Sequence, residues 1–397
     1  MANTLLTVNM ITNEALRVLH QKATFLRSVN RQYDSSFGQA GAKIGDTLRV
    51  RKPVQYTVRS GMSMSSQDTV EEKVDLPVTT VRGVDMTFTS QELALSLDEF
   101  SDRIIKPAIS VLASNIEALF YNDMYKSVAN MIDNDGNAFT FLNAQQARQT
   151  LTENLAPPDD RYCILSPNHV TKLIDSTKGL FHDQSAVAEQ YSEGVIGRTA
   201  GMTFKESTHV GNHTTGTAAK ATGYLSNGAT QSGATIAVDT GTTSFLVGDV
   251  ITFAGVFDVH PETKVSTGVL KKFVITANSG TSATSLAISP AIVATGARQN
   301  VSNTVADNSA VVKVGAGASE LLTTSMAFHK DAFTFATADL PLPDGVDFAA
   351  RKVMDGVSMS IIRDFSISDR TFPCRVDVLF GYAALRPELA CRIHADG

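Results

Sequence analysis

Residues 96–132 read SLDEFSDRIIKPAISVLASNIEALFYNDMYKSVANMI and carry the strongest helix pattern of the chain. Ser96 and Glu99 have the spacing of a capping box at a helix start. Pro107 predicts a kink or restart, and the turn-like Asp-Asn-Asp-Gly that follows the stretch predicts its end. We predict a helix over 97–132, a spine roughly 50 Å long at 1.5 Å per residue. Its apolar residues recur three or four positions apart, at Ile105, Ile109, Leu112, Ile116, Phe120, Met124, Val128 and Met131.

The segment before this helix, residues 46–89, is predicted to be extended. Residues 46–58 mix β-branched with basic residues, and Val70–Thr80 and Val81–Thr89 return with a period of two. Residues 59–68 between them are rich in Ser, Met and Gly, as in a flexible tip. Because an isolated two-stranded excursion is marginally stable in water, we expect something outside it, such as a second copy of the chain, to pack on it.

Opposite charges separate along the first hundred residues. Residues 1–52 contain eight basic and three acidic side chains, a net charge of +5, whereas residues 67–100 contain eight acidic and two basic ones, a net charge of −6. Such segments can pair within one chain or between copies, and two solvated faces remain the alternative interpretation. The candidate residues for contacts between subunits are Arg17, Arg27, Arg31, Arg49, Arg51, Lys52, Asp68, Glu71, Glu72 and Asp75.

The composition changes at about residue 222. Residues 222–320 are dominated by Ala, Gly, Ser, Thr and Val and contain only eleven charged residues. Short strand patterns separated by glycine-containing turns predict a small β-barrel or sandwich. We interpret it as a domain inserted into a host, since insertion costs little where the two ends lie close together. The predicted strands are Thr235–Val238, Asp249–Phe253, Leu270–Ala277, Ser285–Ile288 and Ala310–Val314.

The segments on either side of this insertion are predicted to form the host. Helices are predicted at Asn143–Asn154, Pro167–Asp175 and Gln184–Tyr191. Strands are predicted at Arg161–Ser166, within Gly194–Ser207, at Gly356–Arg363 and at Cys374–Phe380.

Length, charge and cysteine content restrict the class of protein. The chain has 397 residues, enough for two or three folding units, and 43% apolar residues can build real cores. A net charge of −6 argues against a dedicated nucleic-acid binder. Three cysteines cannot all pair, so a disulfide framework is excluded and a reducing compartment fits. Met1–Met10 lacks the features of a secretory signal, and no apolar run reaches bilayer length, so we expect no membrane partner.

No arrangement of residues in the sequence indicates an enzyme, a cofactor site or a metal site. His209 and His213 have ligand-like spacing, but the Gly and Thr residues around them favour loop histidines. The three cysteines lack a paired spacing and are predicted to be buried apolar residues. Asp133–Gly136 lacks the rest of a calcium loop and is predicted to be a turn. We therefore predict no catalytic, cofactor-binding or metal-binding residues.

The order of these parts resembles the major coat proteins of tailed double-stranded-DNA bacteriophages with the HK97-type capsid fold. More narrowly, it resembles the P22-type coat proteins, which carry an inserted β-barrel domain. The likeness covers nearly the whole chain and is carried by the extended arm before the helix, Gly248–Gly255 in the insertion, and Cys374-Arg375, Phe380-Gly381 and Ala384–Glu388. The implied fold class is α+β, an HK97-like capsid fold with an N-terminal arm, an extended β-loop, a spine helix, peripheral and axial domains, and the inserted barrel.

The resemblance implies a division of the chain. Its parts are the N-terminal arm 1–39, the extended loop 40–92 lying across a neighbouring subunit, the spine helix of the peripheral domain 93–134, the first part of the axial domain 135–221, the inserted barrel 222–320, and the remaining axial and peripheral residues 321–397. Some members crosslink a lysine of the extended loop to an asparagine of a neighbour. Lys52 and Lys73 are present without a partner motif, so a non-covalent shell is expected.

The function implied by the resemblance is that of a major capsid protein. Copies would form pentamers and hexamers of an icosahedral virion shell around phage DNA, through a scaffold-assisted procapsid that expands on packaging. The implied partners are further copies, a scaffolding protein, a portal protein and packaged double-stranded DNA held by non-specific contact, with a decoration protein left open. Assembly is expected in the cytoplasm of the bacterial host. Two alternatives remain, an encapsulin-type compartment with cellular cargo and an enzyme with an accessory β domain.

Overall fold

Contacts within the chain divide it into two compact units. The first comprises residues 1–51, 73–120 and 333–385, and the second comprises 52–72, 121–332 and 386–397. The computed structural model describes residues 19, 23–34, 47–59, 61–64, 66–68, 71–89, 106–177, 197–315, 317–354, 357–369 and 371–396. The predicted capping box at Ser96 and Glu99 and the predicted helix Gln184–Tyr191 lie outside these residues.

The described residues combine helices with many strands. The helices are α1 (Lys106–Met124), α2 (Phe141–Glu153) and α3 (Pro167–Thr177). The strands are β1 (Asn30–Asp34), β2 (Thr47–Arg51), β3 (Lys73–Pro77), β4 (Thr80–Thr89), β5 (Met131–Ala138), β6 (Arg161–Leu165), β7 (Arg198–Thr199), β8 (Met202–Glu206), β9 (Asn212–Thr214), β10 (Ala221–Ser226), β11 (Gly233–Asp239), β12 (Val250–Val259), β13 (Ser266–Ile275), β14 (Ser285–Ile292), β15 (Ala310–Val314), β16 (Leu321–His329), β17 (Phe333–Ala338), β18 (Phe348–Met354), β19 (Val357–Arg363), β20 (Thr371–Ala384) and β21 (Ala390–Asp396).

The first unit is built around a six-stranded sheet with the order β1-β17-β20-β19-β18, in which β4 also pairs with β20. One face of α1 is buried, because Ile109, Leu112, Ile116 and Phe120 share it at helical spacing. The Phe120 ring lies 4.6 Å from that of Phe25, 5.4 Å from that of Phe335 and 5.2 Å from that of Tyr382. The buried carboxylate of Glu117 accepts the Phe25 N–H at 3.1 Å. Aromatic packing thus forms the core of this unit.

The prediction for the end of the spine helix is wrong. Helix α1 ends at Met124 and is followed by a 3₁₀ turn at Tyr125–Ser127, so its 19 described residues span about 28 Å. Asp133–Gly136 lies within β5, which pairs in parallel with β21, and does not form a separate turn. The apolar spacing continues past the helix end, but hydrogen bonds to a strand distant in sequence determine the conformation there.

The extended segment is shorter than the pattern predicts. Only β2 and β3 form the antiparallel pair at its base, from Thr47–Pro77 to Arg51–Lys73. The predicted returning strand Val81–Thr89 instead belongs to β4, which pairs with β20 in the six-stranded sheet. Alternating residues suit either partner, so the period alone could not distinguish the two pairings.

The second unit contains the host sheet of the insertion, with the order β5-β21-β16-β6-β8-β7 and with β9 paired to β16. Helix α2 turns its buried residues Ala144, Ala147 and Leu151 inward. At its start, the Thr140 N–H donates to Asn143 Oδ1 at 2.8 Å. The helices predicted at 143–154 and 167–175 are confirmed with small shifts of their ends.

The insertion is a closed six-stranded barrel with the order β10-β11-β14-β13-β12-β15. The five strands predicted in it are confirmed, and β10, which the sequence analysis missed, completes the ring between β11 and β15. Aromatic and aliphatic side chains that are almost fully buried fill the interior, among them Tyr224, Phe245, Phe253 and Phe273. A closed barrel leaves no unpaired sheet edge, so the insertion has a complete core of its own.

The two ends of the insertion lie side by side. Strands β9 and β16 pair antiparallel, with His213 opposite Leu322. The Thr215 N–H donates to the Glu320 carbonyl at 2.9 Å, and the Glu320 N–H donates to Thr215 Oγ1 at 3.0 Å. This stem explains how a domain of about a hundred residues can be inserted without disrupting its host.

Candidate intersubunit surfaces

The loop between β2 and β3 exposes large apolar side chains. Val58 and Met62 are each 99% exposed, Met64 is 87% exposed and Tyr56 is 59% exposed. The base of the hairpin differs, because Leu76 and Val78 are fully buried in a cluster with residues of β17 and β20. A group of exposed apolar side chains that is anchored at one end is typical of a surface that another molecule covers.

Hydrogen bonds give this loop a defined shape. Gln67 Oε1 accepts the Thr57 N–H at 2.8 Å, and Gln67 Nε2 donates to the Thr57 carbonyl at 2.6 Å. Near the tip, Arg59 Nη1 donates to the carbonyls of Gly61 and Ser63. The Lys52 N–H donates to the Glu72 carbonyl at 2.8 Å where the loop leaves the strands. These hydrogen bonds connect the two sides of the loop and order its tip.

The charged candidate residues are distributed over several elements. Arg17 lies outside the described residues. Arg27 is exposed in a 3₁₀ turn at Leu26–Ser28. The others lie on β1 (Arg31), on β2 (Arg49 and Arg51), on β3 (Asp75) and in the loop between β2 and β3 (Lys52, Asp68, Glu71 and Glu72).

Two of these residues contact each other within the same chain. Arg49 Nε lies 3.9 Å from Asp75 Oδ1, and both side chains are more than half exposed. Glu72 forms an ion pair with Arg298 of the insertion, a partner that the sequence analysis missed because the two residues are far apart in sequence. Contacts between subunits through the remaining charges stay a prediction.

Two further hairpins present apolar side chains. On the barrel, the β12–β13 hairpin exposes Val265 and Val269 by more than 60%. In the first unit, the β19–β20 connection exposes Ile367 by 83%, beside a Phe365–Phe372 ring pair with centroids 4.9 Å apart. Periodicity did not identify either tip, because Val265 and Ile367 lie in the connections between strands, where apolar residues carry no regular pattern.

The two histidines that were weighed as metal ligands, His209 and His213, lie in different surroundings in the structure. His213 is not a loop histidine as predicted, but a buried residue of β9 whose Nε2 lies 2.9 Å from Asp249 Oδ1. His209 lies in the turn before β9 and is half buried. In the part of the chain that the structure describes, no group of three or more potential metal-ligating side chains occurs. No helix of that part is long and apolar enough to cross a bilayer.

The cysteines are free thiols. Cys163 and Cys391 are fully buried on β6 and β21, on either side of β16, and Cys374 is partly buried. Burial raises the pKa of the Cys391 thiol to about 11 and that of Cys374 to about 11, and it raises the pKa of Cys163 further. Thiols with such pKa values are protonated at neutral pH and are poor nucleophiles.

The family model described as P22 coat protein, gene protein 5, matches residues 1–392. The chain therefore belongs to the P22 coat protein family. It is the major capsid protein of a bacteriophage, the subunit from which the shell of the virion is built. The predicted α+β fold with an inserted β-barrel is confirmed. The encapsulin and enzyme alternatives are not favoured.

Solved structures of phage proteins match most of the length of this chain at low identity. A structure from Mycobacterium phage Che8 is 11% identical, with a TM-score of 0.48 and coverage of 94% of this chain and 90% of that one. The capsid of cyanophage P-SCSP1u is 13% identical, with a TM-score of 0.47 and coverage of 95% and 89%. The capsid of Ralstonia phage GP4 is 9% identical, with a TM-score of 0.46 and coverage of 95% and 92%. No curated protein matches the chain.

Proposed function

We propose that this coat protein assembles into an icosahedral shell around the double-stranded DNA of a tailed phage, through a scaffold-assisted procapsid that expands as DNA is packaged. Membership of the P22 coat protein family carries the proposal. The partners are further copies in pentamers and hexamers, a scaffolding protein and a portal protein. Assembly takes place in the cytoplasm of the bacterial host, before the virion is released.

The extended loop lies across a neighbouring subunit in this proposal. Its exposed tip, with Val58, Met62 and Met64, supplies apolar area that the chain itself does not cover. Burying such area yields about 25 cal/mol per Å², so several side chains per contact, repeated over a closed shell, suffice without a covalent crosslink. Closed symmetry makes many weak contacts cooperative.

The charged residues of the N-terminal arm and the extended loop guide the orientation of neighbouring subunits. Arg27 and Arg51 are exposed on the basic side, and Asp68 and Glu71 are exposed on the acidic side. Complementary charge of this kind sets register and the rate of encounter more than it sets affinity. The net charge of −6 suits a container that encloses DNA without binding it tightly. The shell role requires no catalytic residue, and we assign none.

The test is negative-stain electron microscopy with analytical sedimentation of the full-length protein, alone and co-expressed with a scaffolding protein from the same phage genome. Closed shells, or rings of five and six subunits, are expected. A monodisperse monomer that persists with the scaffolding protein or with a crowding agent would contradict the proposal. Shells only in the presence of the scaffolding protein would support the procapsid route specifically.

A further inference from the structure

A buried polar cluster joins the barrel to the host sheet within the second unit. We call it the stem cluster, and all five of its residues are at least 97% buried. Its members come from both the host and the insertion. Asp249 lies directly before β12 of the barrel. His213 on β9, and Arg392 and His394 on β21, belong to the host sheet. The stem cluster consists of Tyr125, His213, Asp249, Arg392 and His394.

Asp249 is the anchor on the barrel side. Its Oδ1 accepts a hydrogen bond from His213 Nε2 at 2.9 Å, and its Oδ2 accepts the N–H groups of Gly216 at 3.0 Å and Leu246 at 2.9 Å. With Nε2 protonated, His213 Nδ1 can accept a hydrogen bond from the Tyr125 hydroxyl, whose oxygen lies 3.3 Å away. A neutral imidazole therefore satisfies all of these groups at once.

Arg392 binds the barrel from the host side. Its Nη1 donates to the carbonyl of Gly248 at 2.8 Å, next to Asp249 in the chain. Gly248 has a φ of +100°, and a Cβ there would lie 2.9 Å from Cε1 of His213, so only glycine allows this approach. An apolar contact formed by Ala129, Met131, Val250 and Val274 lies within the same unit and also joins host and barrel residues.

His394 makes the cluster sensitive to protons. Neither of its ring nitrogens, nor Arg392 Nε and Nη2, has a hydrogen-bond partner among the described residues. Burial holds the pKa of His394 well below its usual value, and Arg392, His213 and His169 lower it further. Burial also lowers the pKa of His213, with Arg392 and Lys126 adding to the effect and Asp249 opposing it. A proton on His394 would place a second positive charge beside Arg392.

The charged and titratable groups around His213 and His394 together set how readily these two histidines bind a proton. Asp249 is the acidic group acting on His213, where it raises the pKa, and it also raises the pKa of Lys313 of the barrel, which burial lowers. His169 at the start of α3 is held by Ser325 Oγ at 2.7 Å and by the Ala395 carbonyl at 3.2 Å. The groups facing His213 and His394 are Tyr125, Lys126, His169, Asp249 and Arg392.

We propose that the stem cluster is a proton-sensitive latch, which holds the barrel against the host sheet at neutral pH and loosens it, still folded, in mild acid. A histidine whose pKa is lowered in the closed state binds fewer protons there, so the closed state is fully stable above about pH 6.5 and loses stability as the pH falls through that value. The barrel stays folded because its core does not include the cluster. The latch belongs to the single subunit and does not depend on how shells assemble.

The test is hydrogen–deuterium exchange of the full-length chain at about pH 7.5 and about pH 5.5, corrected for the intrinsic exchange rate. We expect the amides of Gly216, Leu246 and β9 to exchange at least tenfold faster in acid, since each titrating histidine shifts the opening equilibrium up to tenfold per pH unit. Amides of the barrel strands β11 to β14 are expected to keep their protection. Unchanged exchange at the stem, or loss of protection in the barrel strands at the same time, would overturn the proposal.

The variant His394→Leu assigns the effect to one residue. Leucine cannot take up a proton, and no hydrogen bond is lost because the imidazole makes none with described residues. We expect the increase in exchange rate of the stem amides in acid to be smaller than in the unchanged chain, by about tenfold per pH unit. His260→Gln is the control, since His260 lies on the turn after β12, away from the cluster, and should leave the response intact. If His394→Leu kept the full acid response, His394 would not be the residue that senses the proton. If this variant does not fold, the exchange of the unchanged chain at the two pH values decides the proposal.

Discussion

Gly381 shows how closely the backbone segments of the first unit approach each other. A Cβ at this position of β20 would lie 2.0 Å from the Pro77 carbonyl oxygen and 2.9 Å from the Cα atom of Val78. These are backbone atoms at the base of the extended hairpin, so no side chain can rotate away to make room. Glycine is required here by space, since its φ lies outside the left-handed region.

We predict that Gly381→Ala destabilises the first unit by about 1–3 kcal/mol, the usual cost of forcing an extra group into a packed region. The measurement is the urea and thermal midpoint of the unassembled subunit. Gly280→Ala is the control, because no atom lies within 4 Å of the added Cβ there. Equal midpoints for the two variants would show that the hairpin base moves to accommodate the methyl group.

Among the elements, the extended loop separates subunit stability from assembly. Met62 and Met64 are 99% and 87% exposed, so nothing in the chain depends on their packing. We predict that the double variant Met62→Asp and Met64→Asp leaves the unfolding midpoint within the error expected for surface changes, about 0.5 kcal/mol. Shell yield, measured by sedimentation, should fall at least tenfold, because charged groups would have to be buried against a neighbour.

The control for the loop keeps its apolar character. Met62→Leu with Met64→Leu preserves volume and hydrophobicity, so shells should form at nearly the normal yield. If the aspartate variant formed shells as well as the leucine variant, the tip of the loop would not be an intersubunit surface.

The Arg49–Asp75 pair is predicted to act within one hairpin. Because both side chains are more than half exposed, a double-mutant cycle with Arg49→Ala and Asp75→Ala should give a coupling energy of about 0.2–1 kcal/mol. The cycle is measured on the unassembled subunit by urea unfolding. Coupling that is absent from the subunit and present only in shell disassembly would mean that the two residues pair between neighbours instead.

At the level of the whole molecule, separated charge predicts salt-sensitive assembly. The Debye length falls from about 10 Å at 0.1 M salt to about 3 Å at 1 M, so exposed complementary charges lose most of their long-range attraction. We expect the initial assembly rate, followed by light scattering, to fall at least tenfold over this range. The unfolding midpoint of the subunit at each salt concentration serves as the control, and an unchanged rate up to 1 M would show that charge does not guide assembly.

The sequence predicted best the helices and strands that are determined by neighbouring residues in the chain. Helix α3 begins at Pro167 as predicted, since proline fits the first turn of a helix. The barrel strands were visible because glycine-containing turns separate short β-branched runs. Strand β10 was missed, because its Gly223 interrupts the apolar pattern. The end of α1 was misplaced, because β5 receives its hydrogen bonds from β21, at the other end of the chain.

The features of the candidate surfaces also fall into those that consecutive residues predict and those that depend on contacts between distant residues. The charge separation along the chain and the loop tip rich in Ser, Met and Gly could be predicted directly, because both are properties of consecutive residues. The pairing of Glu72 with Arg298 and the burial of His213 against Asp249 could not, because each joins residues that are distant in sequence. His213 gave the wrong signal, because the pairing of β9 with β16, which is distant in sequence, overrides the loop preference of the neighbouring Gly and Thr residues.

The amino-acid sequence by itself determined that this is an α+β chain with a long helix and an inserted β domain, and its order of parts pointed to a phage coat protein. Tertiary structure alone decided which strands pair, where the helix ends and how the barrel is joined to its host. The physical reason is that propensity and periodicity act over a few residues, whereas strand pairing and the burial of Arg392, His394 and Asp249 depend on partners that only the folded chain brings together.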